Sequence, residues 1–240
     1  MPRGIAIETS GRIGSIAAVE AGRIVAEEQF PHGLQHAAGI LPIIDRLCRD
    51  RSWSPADIEH LYVSIGPGSF TGLRIAITLA KTMALATGVK VVAVPSVEAL
   101  VHNAPPEANH VIIVLDAKRD QIFTARFERT ANGGWSQREP AHLDSLSAML
   151  ERAPRPVHLL GEGIPYHEKF ISMDDRSIVI TPKETWRARA AVVAEIGMTM
   201  ATHGQFANPD TLTPLYIRLP EAEEKWRAAN PADAKRTLIA

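Results

Sequence analysis

The chain of 240 residues is 45% hydrophobic, enough for one large domain or two compact lobes with a true core. Its 26 Lys and Arg against 27 Asp and Glu leave a formal charge of −1, so no overall basic field marks a nucleic-acid binder, and RNA contact needs a local patch or a partner. Cys48 is the single cysteine, which excludes an internal disulfide and a cysteine-cluster metal site and fits a reducing compartment. No apolar run reaches membrane-spanning length and the chain enters a strand pattern at once, so the expectation is a soluble, unprocessed, cytoplasmic protein.

"GIAIETS" opens a three-strand meander that turns at Gly11 and Gly14 into "SIAAVEAG" and at Gly22 into "RIVAEEQF". A helix from about Leu34 to Asp50, a strand over 60–66, a helix from about Ser69 to Thr87 and a strand over 89–95 follow. "NAPPEAN" at 103–109 reads as a linker, giving an N-terminal lobe over 1–103 and a C-terminal lobe over 104–220. The second lobe repeats the opening plan in "HVIIVLDAKRDQIFTARFERTANGGW", then places strands in "RPVHLLGEG" and "RSIVITP" around a short helix and a long helix in "WRARAAVVAEIGMTMATHG". Residues 221–240 are charged and alanine-rich and read as a flexible tail. The class is α/β, and two lobes that share a strand-turn-strand opening resemble the actin, hexokinase and Hsp70 superfamily, in which ATP sits between the lobes.

"SIGPGSFTGLRIAITLAKTMALATG" at 64–88 poses the main chemical question. A glycine-rich turn that opens a helix aims unpaired N–H groups at an anion, which makes Gly66, Gly68, Ser69, Thr71 and Gly72 weak anion-site candidates. The P-loop pattern fails, since Leu73-Arg74 stand where Lys and a hydroxyl belong, and the dinucleotide pattern fails on glycine spacing. Ser69 lacks a nucleophile-elbow context and reads as a helix cap. His32 and His36 have the spacing of a one-turn metal pair, but Pro31 and Gly33 bracket His32 and break the shared face, so no metal is expected.

At 100° per residue, Gly72, Ala76, Ala80 and Ala84 form one small-residue row flanked by Leu73, Ile77, Leu79 and Met83, with a polar sector of Arg74, Thr78, Lys81 and Thr82. Ile40, Ile43 and Leu47 belong to an equally wide apolar arc on the preceding helix. Periodicity alone leaves two readings open: burial between a sheet and each other, or a close helical interface with a partner.

"IAIETS", "HAAGILPIIDRL", "GPGSFTGLR" at 66–74, "VPSVEAL", "LDAKRDQIF" and "PLYIR" together resemble the TsaB family, also called YeaZ, over residues 4–220. The resemblance implies a non-catalytic subunit of the bacterial machinery that places threonylcarbamoyl on the adenosine 3′ of the anticodon in tRNAs reading codons that begin with A. It implies TsaD as heterodimer partner, cooperation with the ATPase TsaE, tRNA contact through the complex, and a homodimer by the same helical face. The interface residues implied are His36, Ile40, Ile43, Leu47, Gly72, Leu73, Ala76, Ile77, Ala80, Met83 and Ala84. No tightly bound cofactor is expected; ATP belongs to the complex, at a subunit junction where it meets this chain. A side chain at each phosphate-turn position, Glu8 in the first and the glycine-free Asp116-Ala117-Lys118-Arg119-Asp120 in the second, argues against the alternative of an ATP-using kinase, and the want of a nucleophile or metal set argues against that of a glycoprotease-type peptidase.

Overall fold

The computed structural model describes residues 2–30, 36–218 and 229–230, with side chains from 39 onward in the first helix. His32 and the tail expected over 221–240, apart from 229–230, lie outside the described residues, as does the side chain of His36, which opens α1.

The first sheet has the order β3-β2-β1-β4-β5, built from β1 (Gly4–Glu8), β2 (Ser15–Glu20), β3 (Arg23–Gln29), β4 (His60–Ser64) and β5 (Lys90–Val94). The first three strands run antiparallel, while β4 and β5 run parallel to β1. Both faces of β1 are covered, so all five of its residues are buried. Successive side chains point to opposite faces. Ile5 and Ile7 therefore pack with α1 (His36–Arg49) and α2 (Phe70–Thr87), whereas Ala6 packs with α6 (Ala190–Thr202). Helix α6 arrives from the far end of the chain and lies close on the sheet because Gly197 has no Cβ; one built there would stand 2.4 Å from Cδ1 of Tyr62.

The second sheet repeats this plan. Its strands are β6 (His110–Ile113), β7 (Leu115–Asp116), β8 (Ile122–Arg129), β9 (Trp135–Asp144), β10 (Val157–Leu160) and β11 (Ile178–Ile180). Strands β6 and β7 both pair antiparallel with β8, β8 pairs with β9, and β10 and β11 continue parallel to β6. Its core joins Val111, Ile113, Leu159 and Trp186 with Leu146 and Met149 of α4 (Leu146–Arg152). Helices α3 (Ser96–Val101) and α5 (Ile164–His167) complete the set. Two mixed sheets with one strand plan, in tandem, make the two-lobed α/β architecture expected from the repeated opening.

Candidate functional site

Two regions hold the sequence-derived candidates: the cleft between the lobes and the outer surface of α1 and α2. The cleft is a hollow of about 310 Å³ edged by Ser10, Arg12, Ser69, Asp116, Glu162 and Tyr166. Its floor is the β1–β2 turn, where backbone N–H groups face the place a phosphate takes in a strand-turn cradle. Three of the amides at this turn, and one from the glycine turn beside it, are already engaged by protein oxygens. Ser10 N–H donates to Oε1 of Glu8 at 2.5 Å, and Arg12 N–H to Oε2 of Glu162 at 2.9 Å. Thr9 N–H lies 3.4 Å from Oγ of Ser64, and Ser69 N–H donates to the Ser10 carbonyl at 2.7 Å.

The glycine turn is shaped by this contact. A Cβ on Gly68 would stand 2.4 Å from the Ser10 carbonyl oxygen, so the backbone of 68–69 reaches the first turn only with glycine there. Gly66, at φ +109°, donates its N–H to Oγ of Ser96 at 3.0 Å. Ser69 Oγ accepts from Gly72 N–H at 3.3 Å and caps α2, as its position predicts, while the Gly72 carbonyl accepts from Thr9 Oγ1 at 2.9 Å. Of the five anion candidates, Ser69 lines the cleft, Thr71 is exposed on α2, and the glycines serve close backbone packing.

Glu8 is fully buried, and burial above all pushes its carboxyl up from the ordinary 4.5 despite the hydrogen bonds from Ser10 and Ser64; the charge of Glu162 adds to the rise. Its Oε2 has no partner. Across the cleft, Asp116 is held by Nε2 of the buried His167 at 3.2 Å and accepts from Lys118 N–H at 3.1 Å. The glycine-free second turn closes with Lys118, Arg119 and Asp120 at φ of 60°, 55° and 56°, a left-handed run that side-chain residues adopt rarely. Arg218 anchors it through the Ala117 carbonyl and Oε1 of Gln121.

The helices correct one expectation. Ile40, Ile43, Leu47, Gly72, Leu73, Ala76, Ile77 and Ala80 are all buried within the lobe itself. Ala76 and Ala80 have no exposed surface and pack in the core with Ile5, Ile7 and Leu61. The small row lets α2 sit close on its own sheet and is not a surface for a partner. Among the described side chains of that set, only Met83 and Ala84 keep partial exposure. The outward surface is offset around the helix: a hollow of about 410 Å³ between α1 and α2, edged by Leu41, Arg74, Ile75, Thr78, Leu79 and Thr82. Leu41 is 59% exposed, and Leu85 beyond it 90%. Arg74 closes one end, its guanidinium 3.8 Å from the Phe70 ring centre and its Nε donating to the Tyr216 hydroxyl at 2.8 Å. No group of three or more His, Cys, Asp or Glu suited to a metal is found among the described residues.

Duplicated mixed sheets around a cleft whose cradle opens on the first strand define a two-lobed α/β protein. YeaZ from Pseudomonas aeruginosa has the same fold, with a TM-score of 0.75 at 22% identity, covering 90% of this chain and 100% of that one. Residues 32–170 match the family model of TsaD, tRNA N6-adenosine threonylcarbamoyltransferase. The tRNA threonylcarbamoyladenosine biosynthesis protein TsaB of Bacillus subtilis is 30% identical over 227 residues, 92% of this chain and 96% of that protein. Its counterpart in Escherichia coli is 27% identical over 226 residues, 89% and 94% of the two chains. The chain belongs to the TsaB family, a branch related to TsaD.

Proposed function

We propose that this chain is a non-catalytic subunit in the biosynthesis of threonylcarbamoyladenosine on tRNA, binding a TsaD-type partner through the outer surface of α1 and α2. The family supplies the pathway. The observation that carries the non-catalytic role is the filled cradle: the N–H groups of Ser10 and Arg12 donate to Glu8 and Glu162. Ser69, the one hydroxyl of the glycine turn that lines the cleft, is engaged as the cap of its helix. The partner surface rests on Leu41, Ile75 and Leu79, apolar side chains that edge a hollow open to solvent. Burying them against a partner helix removes apolar area from water at about 25 cal/mol per Å², with Arg74 and Thr78 as a polar rim. TsaE and tRNA meet this chain through the complex, and ATP is the complex's substrate.

The test is reconstitution. The purified chain is mixed with TsaD, TsaE, threonylcarbamoyl-adenylate synthase, ATP and unmodified tRNA, and modified nucleoside is measured with and without it. The expected result is modification that depends on the chain, co-elution with TsaD, and no ATP turnover by the chain alone. Robust ATP hydrolysis by the isolated chain, free of contaminating ATPase, would move the reading to a kinase of the same fold.

A further inference from the structure

Glu162 stands between two glycines where β10 ends, and neither glycine tolerates a side chain. A Cβ on Gly161, at φ +139°, would lie 2.3 Å from the Val114 carbonyl oxygen, and one on Gly163 would lie 2.5 Å from the Asp116 nitrogen. The turn is thus pressed onto the β6–β7 backbone, which aims Glu162 across the cleft at the first lobe. There its Oε2 accepts from Arg12 N–H at 2.9 Å and lies 3.1 Å from the position of a Cβ on Gly11, while Oε1 faces Nε of Arg187 at 3.5 Å. The carboxylate has the partners a phosphate oxygen would choose: a turn amide and a guanidinium. Beside it lies a hollow of about 390 Å³ whose lining carries Arg12, Lys183 and Arg187, with Glu162 as its one acid.

We propose that the β1–β2 turn and Arg187 form an oxyanion site that the chain fills from within, Glu162 acting as a resident anion that keeps phosphate groups out. The acids nearby set its orientation. Glu8 lies buried beneath the turn and Asp116 edges the opposite side of the cleft, so an incoming anion is confined to the side of Arg187 and Lys183. Shortening Glu162 to alanine frees the Arg12 amide and unpairs Arg187 together, whereas glutamine keeps an acceptor oxygen of the same shape on the amide. Nothing in this reading depends on pairing with TsaD, since it concerns a small anion on the isolated chain.

The experiment titrates inorganic phosphate into the isolated protein and follows the Gly11 and Arg12 amides by NMR, with calorimetry in parallel and thermal melting to verify the fold. Glu162→Ala is expected to bind phosphate at least tenfold more tightly than the wild type, with both amides shifting, and Glu162→Gln, which keeps an acceptor for the Arg12 amide but loses the charge that pairs Arg187, is expected to fall between the two. A folded Glu162→Ala protein whose amides ignore phosphate, or a wild type that binds phosphate there as tightly as the variant, overturns the proposal.

Discussion

The two sides of α2 use apolar residues for opposite ends. Toward the sheet, Gly72, Ala76 and Ala80 are buried where the helix packs over β4 and β5, and the two alanines have no exposed surface. Away from it, Ile75 and Leu79 remain half-buried beside the exposed Leu41. The small residues mark where the helix comes closest to its own lobe, with Leu73 and Ile77 buried beside them, whereas Ile75 and Leu79 lie where it is left open. The same logic holds on the far face of the sheet, where Gly197 lets α6 press on Tyr62. A small-residue row is therefore evidence of close packing, but not of which molecule supplies the other half.

The largest effect should come from the sheet side. Ala80→Trp has no space to enter, because Ala80 is fully buried. Overpacking of this kind costs about 3 kcal/mol, and the expected outcome is a marked fall in melting temperature or failure to fold, read by circular dichroism. A variant that melts as the wild type does would show the row to be accessible after all and reverse the comparison.

An intermediate effect is expected beneath the helix, at Glu8. Burial raises its folded-state carboxyl above the ordinary 4.5. A group shifted up in this way contributes stability that is fully present below the unfolded value and lost as pH rises through the folded one. Glu8→Gln keeps an oxygen for the Ser10 N–H and has no proton to lose. Its stability relative to the wild type should therefore grow as pH climbs above about 4.5 and level off beyond the folded value, as chemical denaturation across pH would report. A difference that stays flat over that range would contradict the buried, raised carboxyl.

The smallest effect belongs to the end of the outer surface. Arg74→Ala removes the stacking on Phe70 and the hydrogen bond to Tyr216. An exposed cation–π contact is worth about 0.5 to 1 kcal/mol, so denaturant titration should register a loss of that order. A loss several times larger would mean that Arg74 holds the fold rather than the rim of the outer surface.

Much of this architecture is legible in local pattern. The meander, α1, α2, β4, β5 and the repeat of the opening plan follow from alternation, 3.6-residue periodicity and glycine turns, and Ser69 is readable as a cap from its place before the helix. Other elements are not: α3 and α4 are brief and β9 is of mixed polarity, and long-range packing and pairing decide them. The side of α2 that faces the lobe is also illegible, because its apolar arc is wide enough to serve either way. Glu162 is the clearest omission. Its partners Arg12 and Arg187 lie 150 and 25 positions away, and only the flanking glycines of "GEG" hint that its turn is held tightly. The placement of α6 on the first sheet has the same cause, since a helix pattern states its length and apolarity and not which sheet it covers.

The central claim is that the outer surface of α1 and α2, and not the buried row, meets a TsaD-type partner. The direct measurement is a binding titration of purified TsaD with the wild type and with Leu41→Asp, each melted beforehand to establish the fold of the monomer. Because Leu41 edges the open hollow and is 59% exposed, the account predicts a monomer of nearly unchanged melting temperature whose affinity for TsaD falls at least tenfold, about 1.4 kcal/mol. Leu41→Asp protein that is folded and binds TsaD at wild-type strength would contradict it.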